Sequence, residues 1–310
     1  MKNASRLKRI LDTGTFAVTA ECGPPKGADP EVLFEKAEKL KGYVDAVNVT
    51  DNQTAIVRMS SLAACALLKS AGLDPVLQMV VRDRNRIALQ SDILGASALG
   101  IGNVLCLSGD HQCFGNQPQA AGVFDLDSIQ FVEVVKNMRD GSVILGGESL
   151  TAAPDLFIGA AANPFGDPAS FRAIRLGKKV RAGADFIQTQ CIYNLERFET
   201  WLHMVREKGL TEQTYILGGV TPLKSAGMAR YMKNKVSGMD IPDALIKRME
   251  GVPKENQREE GIRICVETIE QLKEMDGVKG VHIMAIEWED AVAGIVEESG
   301  LFPRPAQDEG

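Results

Sequence analysis

Apolar, β-rich runs recur along this chain, and each ends at a polar residue or a turn before a helical segment begins. Seven are plain: Phe16 to Glu21, Val44 to Thr50, Pro75 to Val81, Asn103 to Asp110, Phe157 to Asn163, Asp185 to Gln190 and Thr214 to Thr221; an eighth spans Gly280 to Ala285. Eight strands alternating with helices over about 250 residues is the pattern of a (β/α)8 TIM barrel, an α/β fold whose chemistry sits at the C-terminal ends of the strands. The polar residues there, Glu21, Thr50, Gln78, Asp110, Asn163 and Gln190, are therefore the candidate site.

Between the strands, an apolar period near 3.6 predicts helices at Pro30 to Lys41, Arg58 to Ala71, Arg84 to Leu99, Ser128 to Arg139, Pro168 to Ala182, Leu195 to Lys208 and Lys224 to Lys235. Two more, Pro242 to Met249 and Glu255 to Met275, form a helical insertion before the last strand rather than a second domain. Residues 1–15 read as a lead-in helix over the barrel bottom, 302–310 as a flexible polar tail, and 1–310 as a single domain. The segment SGDHQCFGNQPQAAGVFDLDS after the fourth strand is too long and polar for an ordinary connection, which suggests a loop that binds or covers something.

A formal charge of −6 leaves no basic footprint for nucleic acid or an anionic membrane surface. No run approaches the ~18 apolar residues of a membrane span, and the N-terminus lacks the apolar centre of a signal peptide, so the expected location is cytoplasmic. Six cysteines lie scattered without a CxxC pair or zinc spacing, which predicts reduced thiols and no metal. Cys22, Cys113 and Cys191 adjoin strand ends, but a redox or ligand role is the lesser reading. Walker, G-x-G-x-x-G, G-x-S-x-G and H-E-x-x-H motifs are absent.

Glu21, in VTAECGPPKG, joins an apolar strand to a Gly-Pro-Pro turn, where partial desolvation would raise its proton affinity toward that of a general acid. The plainer alternative is a carboxylate capping a backbone amide. Asp110 ends LCLSGD, and a second carboxylate near Glu21 would raise the affinity further; otherwise it is a turn aspartate. Gln190 can read a heterocycle edge or simply bond across the barrel mouth. Arg172, Lys178 and Lys179 could meet a phosphate or form a solvated helix face.

At these residues the chain resembles the methylenetetrahydrofolate reductase family, flavin-dependent barrels. The resemblance runs from about Phe16 to Leu301 through TAECGPPKG, DAVNVTDN, LCLSGDH, FIGAAANPFGDP, KKVRAGADFIQTQCIYN, GGVTPL and GVKGVHIMA, in that order. It implies that Glu21 is the acid that opens the five-membered ring of 5,10-methylenetetrahydrofolate, with Asp110 by flavin and pterin and Gln190 on the folate. The implied reaction is hydride transfer from reduced flavin to the methylene carbon, giving 5-methyltetrahydrofolate. For the flavin it implies Thr50 near the ring, Ala161 and Ala162 as backbone contacts and Lys179 at the phosphate.

Departures from the family pattern fall in the same cofactor region, at Gln78, Ser108, Asn163 and Arg172. In the family several of these positions serve the phosphate and adenosine end, which leaves both FMN and FAD open. Where nicotinamide-using members carry a glutamine and a phenylalanine, this chain has Met228 and Met232, which lack the hydrogen bonds and the π-face. The expectation is therefore an iron–sulfur partner subunit as electron donor, as in forms of anaerobic one-carbon metabolism, with oligomerisation left open. An NAD(P)H-dependent reductase, a non-catalytic folate- or flavin-binding accessory subunit and a barrel lyase or aldolase remain alternatives; no predicted strand ends in the lysine an aldolase needs.

Overall fold

In the computed structural model, which describes residues 5–306, eight parallel strands close on themselves in chain order. After a short helix α1 (Arg6–Asp12), strand and helix alternate: β1 (Ala17–Cys22), α2 (Glu31–Leu40), β2 (Ala46–Val49), α3 (Ser61–Ser70), β3 (Pro75–Val80), α4 (Arg86–Ala98), β4 (Asn103–Leu107), α5 (Ser128–Gly141), β5 (Phe157–Ala162), α6 (Ala169–Ala182), β6 (Phe186–Cys191), α7 (Leu195–Glu207) and β7 (Tyr215–Val220). Three helices, α8 (Ala226–Lys235), α9 (Asp243–Glu250) and α10 (Gln257–Glu274), precede β8 (Val278–Ile283), and α11 (Asp290–Glu298) follows it. The strands read as unbroken apolar runs because helices cover them outside while the barrel fills inside. Side-chain caps set the starts of α4 and α5: Asn85 accepts from Ile87 and Ala88 N–H, and Asp127 with Gln130 forms a capping box.

Side chains alternate across each strand, so every second residue points into the barrel. The lowest inward layer is apolar: Ala17, Ala46, Val76, Leu105, Phe157, Phe186 and Leu217 pack with Leu7, Ile10 and Leu11 of α1. The lead-in helix thus plugs the N-terminal end, and Asp74 fixes it by accepting from Leu7 N–H at 3.1 Å and Asn103 Nδ2 at 3.0 Å. Gly159 is required here, since a Cβ would lie 2.3 Å from the Phe186 ring that stacks on Phe157. Residues 1–4 of the lead-in segment lie outside the described residues.

The insertion is real and has its own small core. Helix α10 packs on β7 and β8 as the crossover, while α8 and α9 pack on each other around Ala229, Met232, Ile246 and Met249. Helix α11 has no counterpart in the sequence reading. Of the tail read as flexible, residues 302–306 are described, and Arg304 there donates to Asp45, Phe16 O and Leu301 O. Residues 307–310 lie outside the described set.

Candidate functional site

Above the apolar plug the inward residues turn polar. Asn48 and Gln188 bridge the barrel by two reciprocal amide hydrogen bonds of 2.5 and 3.1 Å. Thr19 Oγ1 meets His282 Nδ1 at 2.9 Å, where the closing β1–β8 register sets the two residues side by side. Burial holds His282 down to about 4, so its imidazole is neutral at physiological pH. This layer is the floor of a cavity of about 350 Å³ lined by Glu21, Gln78, Ala161, Asn163, Lys179 and Gln190, among others. That volume lies within the range of small-molecule and cofactor pockets.

Glu21 is 8% exposed and stands one layer above Thr19. Burial pushes its carboxyl up to about 7; the Gln53 amide, donating at 3.4 Å, opposes the rise, Glu289 adds to it, and Lys36 and Arg58 offset part of it. The carboxylate acting on Glu21 is therefore Glu289 from beyond β8, whereas Asp110 is not among the groups that shift it. β4 stops at Leu107, Gly109 turns the chain at φ +82°, and Asp110 lies exposed in the loop, accepting from Thr54 N–H at 3.2 Å.

The long loop does hold something. Its Asp110 and Asn116 accept from Thr54 and Val57 N–H, which fixes the loop after β2, where Asn52, Thr54 and Ala55 all adopt positive φ. Non-glycine residues pay for that conformation, and such cost gathers at functional sites. The same loop carries Gln53 to Glu21.

The opposite wall is basic. Arg172, Arg175 and Lys179, spaced by three and four residues, share the face of α6 that lines the cavity. Lys179 donates to Ala161 O at 2.5 Å, and burial, with Arg175 nearby, brings its ammonium down to about 8. Arg172 Nε is buried without a hydrogen-bond partner. A cationic wall with an unsatisfied guanidinium N–H suits an anionic phosphate, so the residues present fit the phosphate end of a flavin.

The expected site residues therefore divide. Glu21, Gln78, Ala161, Ala162, Asn163, Lys179 and Gln190 meet at the main cavity. Ser108 and Asp110 line an adjoining cavity of about 310 Å³ that also touches Gln78. Thr50 is buried, lines neither, and its Oγ1 has no hydrogen-bond partner. Gln190 Oε1 accepts from Cys191 N–H at 3.0 Å, which leaves its amide N–H2 as the group it can offer a ligand. Burial pushes Cys22 and Cys191 up to about 12, so neither supplies a thiolate at neutral pH. Met232 is buried in the insertion core, and the Met228 sulfur accepts from Lys224 N–H at 3.4 Å. Among the described residues no cluster has the make-up of a metal site, and no helix is long and apolar enough to cross a membrane.

Sequence reasoning missed Thr19, Asn48, Gln188, His282, Arg175 and Glu289. For the first four a signal exists: each is a polar residue inside an apolar strand, in phase with the inward positions.

Comparison with known proteins follows the same outline. A family model described as methylenetetrahydrofolate reductase matches residues 6–300. The probable methylenetetrahydrofolate reductase (NADPH) of Caenorhabditis elegans is 24% identical over 312 residues, covering 96% of this chain and 44% of its own. Methylenetetrahydrofolate reductase (NADH) 1 of Arabidopsis thaliana is 24% identical over 318 residues, covering 97% of this chain and 51% of its own. The chain thus spans about half the length of the curated relatives it matches. A Clostridium thermocellum protein, described as binding two copies of 5-methyl-5,6,7,8-tetrahydrofolic acid, shares the fold with a TM-score of 0.66 at 16% identity, covering 96% of this chain and all of that one.

Proposed function

Because this chain belongs to the methylenetetrahydrofolate reductase family, we propose that it reduces 5,10-methylenetetrahydrofolate to 5-methyltetrahydrofolate with a flavin, FMN or FAD, in the main cavity. The observation that carries this reading is Glu21, a buried carboxyl held at about 7 and facing a cavity with a cationic far wall. At that value a large fraction is protonated at neutral pH, which a general acid requires. Glu21 gives its proton to the ring nitrogen that leaves the methylene carbon, opening the five-membered ring to an electrophilic iminium. The flavin, when bound, supplies the hydride. Gln190 offers its amide N–H2 to the pterin edge, and Arg172, Arg175 and Lys179 hold the cofactor phosphate. Asp110, from its loop, borders the folate.

For the electron donor we favour an iron–sulfur partner subunit. The relatives named above are NADPH and NADH forms. Here Met232 is packed away and Met228 is engaged by Lys224, so neither presents a stacking face for a nicotinamide. NADH-driven turnover by the isolated chain at ordinary enzymatic rates would refute this donor assignment.

The reading is tested by the visible spectrum of the protein under anaerobic conditions before and after adding 5-methyltetrahydrofolate. Flavin bands that bleach support it; a protein that takes up no flavin on reconstitution overturns it. The basic wall makes a second prediction. Arg172→Ala and Arg175→Ala should each weaken FMN binding roughly 10-fold or more, the size of a lost charge-assisted hydrogen bond, while riboflavin, which has no phosphate, binds as before. Equal losses for both ligands in a fluorescence titration would remove the phosphate from this wall.

A further inference from the structure

Among the described residues Glu21 alone lines both the main cavity and a second, much smaller one behind it. The small pocket is about 20 Å³, and its wall includes Lys36, Gln53, Arg58, Glu287 and Glu289. That is room for a single water with several polar partners. Lys36 Nζ pairs with Glu289 Oε1 at 3.0 Å and donates to Gly23 O at 3.1 Å. Arg58 donates to Pro24 O at 3.1 Å and faces Glu287 at 3.7 Å. Glu289 is 6% exposed, whereas the Glu287 side chain is 70% exposed. The pocket therefore leads from the Glu21 carboxyl past a buried carboxylate to a rim in solvent.

We infer that Glu289, held by Lys36, is the relay through which Glu21 regains its proton between turnovers, on the side away from the substrate. The inference rests on the reading of Glu21 as the acid. Each reduction consumes one hydride and one proton; Glu21 gives its proton to the departing ring nitrogen and is left as a carboxylate. Until it leaves, the reduced product in the main cavity stands between that carboxylate and bulk water. The replacement proton enters from solvent at the rim, passes by way of Glu289 and the small pocket, which has room for one bridging water, and restores the acid. No electron moves along this route. Glu289 touches no reacting atom and is a positioning and relay residue.

The charged groups around Glu21 are Lys36 from α2, Arg58 from the loop before α3, and Glu287 and Glu289 after β8; His282, Cys22 and Cys191 nearby are neutral. Glu289→Gln keeps the shape but cannot carry a proton. With flavin reduced in advance and Glu21 protonated, its first turnover should match the wild type, while steady-state turnover falls roughly 10-fold or more and gains a solvent deuterium isotope effect. A second readout needs no bound cofactor: infrared titration of the Glu21 carboxyl, with Glu21→Gln as the subtraction reference. Its midpoint should fall in Glu289→Gln, which removes a repelling charge, and rise in Lys36→Met, which removes an attracting one. The relay is overturned if first and later turnovers slow together, if neither slows in an active protein, or if neither midpoint moves. A wild type without any turnover would instead overturn the proposed function, and the titration would still decide whether Glu289 is coupled to Glu21.

Discussion

Glu21→Gln should lower the steady-state reductase rate by roughly 10²–10⁴-fold, the usual worth of a positioned acid, while flavin remains bound. The amide preserves size and still meets Gln53, but has no proton to give the leaving nitrogen. Loss of rate with an unchanged flavin spectrum and unchanged folate affinity would place the effect in the chemical step. Full reductase activity in this variant would end the assignment of Glu21 as the acid.

The same substitution should make the protein more stable, and only at higher pH. The carboxyl is near 4.5 in an unfolded chain and about 7 in the fold. The folded state therefore holds this proton more tightly. The benefit is whole below the unfolded value and is lost as pH rises through 7, where burying the ionised form costs about 3 kcal/mol at ~1.4 kcal/mol per pH unit. Glutamine never ionises. Urea unfolding should thus show similar stabilities at pH 5 and a gain of about 2–3 kcal/mol for Glu21→Gln at pH 8. A gain of equal size at both pH values would show that the carboxyl is not the cause.

The barrel was legible in the sequence because parallel strands are buried on both faces, which turns each into a continuous apolar run. Helix α11 was not, since it is only nine residues long and carries Gly294 inside. Residues at strand ends, such as Glu21 and Gln190, could be found by position alone. Asp110 shows the limit of that rule: Gly109 ends the strand early and puts the carboxylate out on the loop. Asn48 and Gln188 meet only because the sheet closes, and Glu289 shares a pocket with Glu21 only because β8 lands beside β1. Contacts made by closure carry no local signature, so they become visible only with the register.

Asp45→Ala should be the most destabilising single change at the barrel bottom, for the same reason of closure. Its side chain has no solvent exposure and accepts from Val18 N–H at 2.8 Å, from Arg304 at 2.6 and 3.2 Å, and from Arg6 at 3.4 Å. Arg6 also donates to Pro305 O at 2.6 Å, so one carboxylate joins the lead-in helix, the start of β1 and the last described residues. Removing it leaves two nearly buried guanidinium groups and a strand N–H short of a partner, a loss of roughly 3–5 kcal/mol. On a chain of this size that lowers the melting temperature by roughly 5–8 °C. Removing Arg304 as well should recover part of the loss, because the orphaned charge leaves with it. If Asp45→Ala melts with the wild type, the carboxylate does not join the two chain ends, and the polar tail is as loose as its composition suggests.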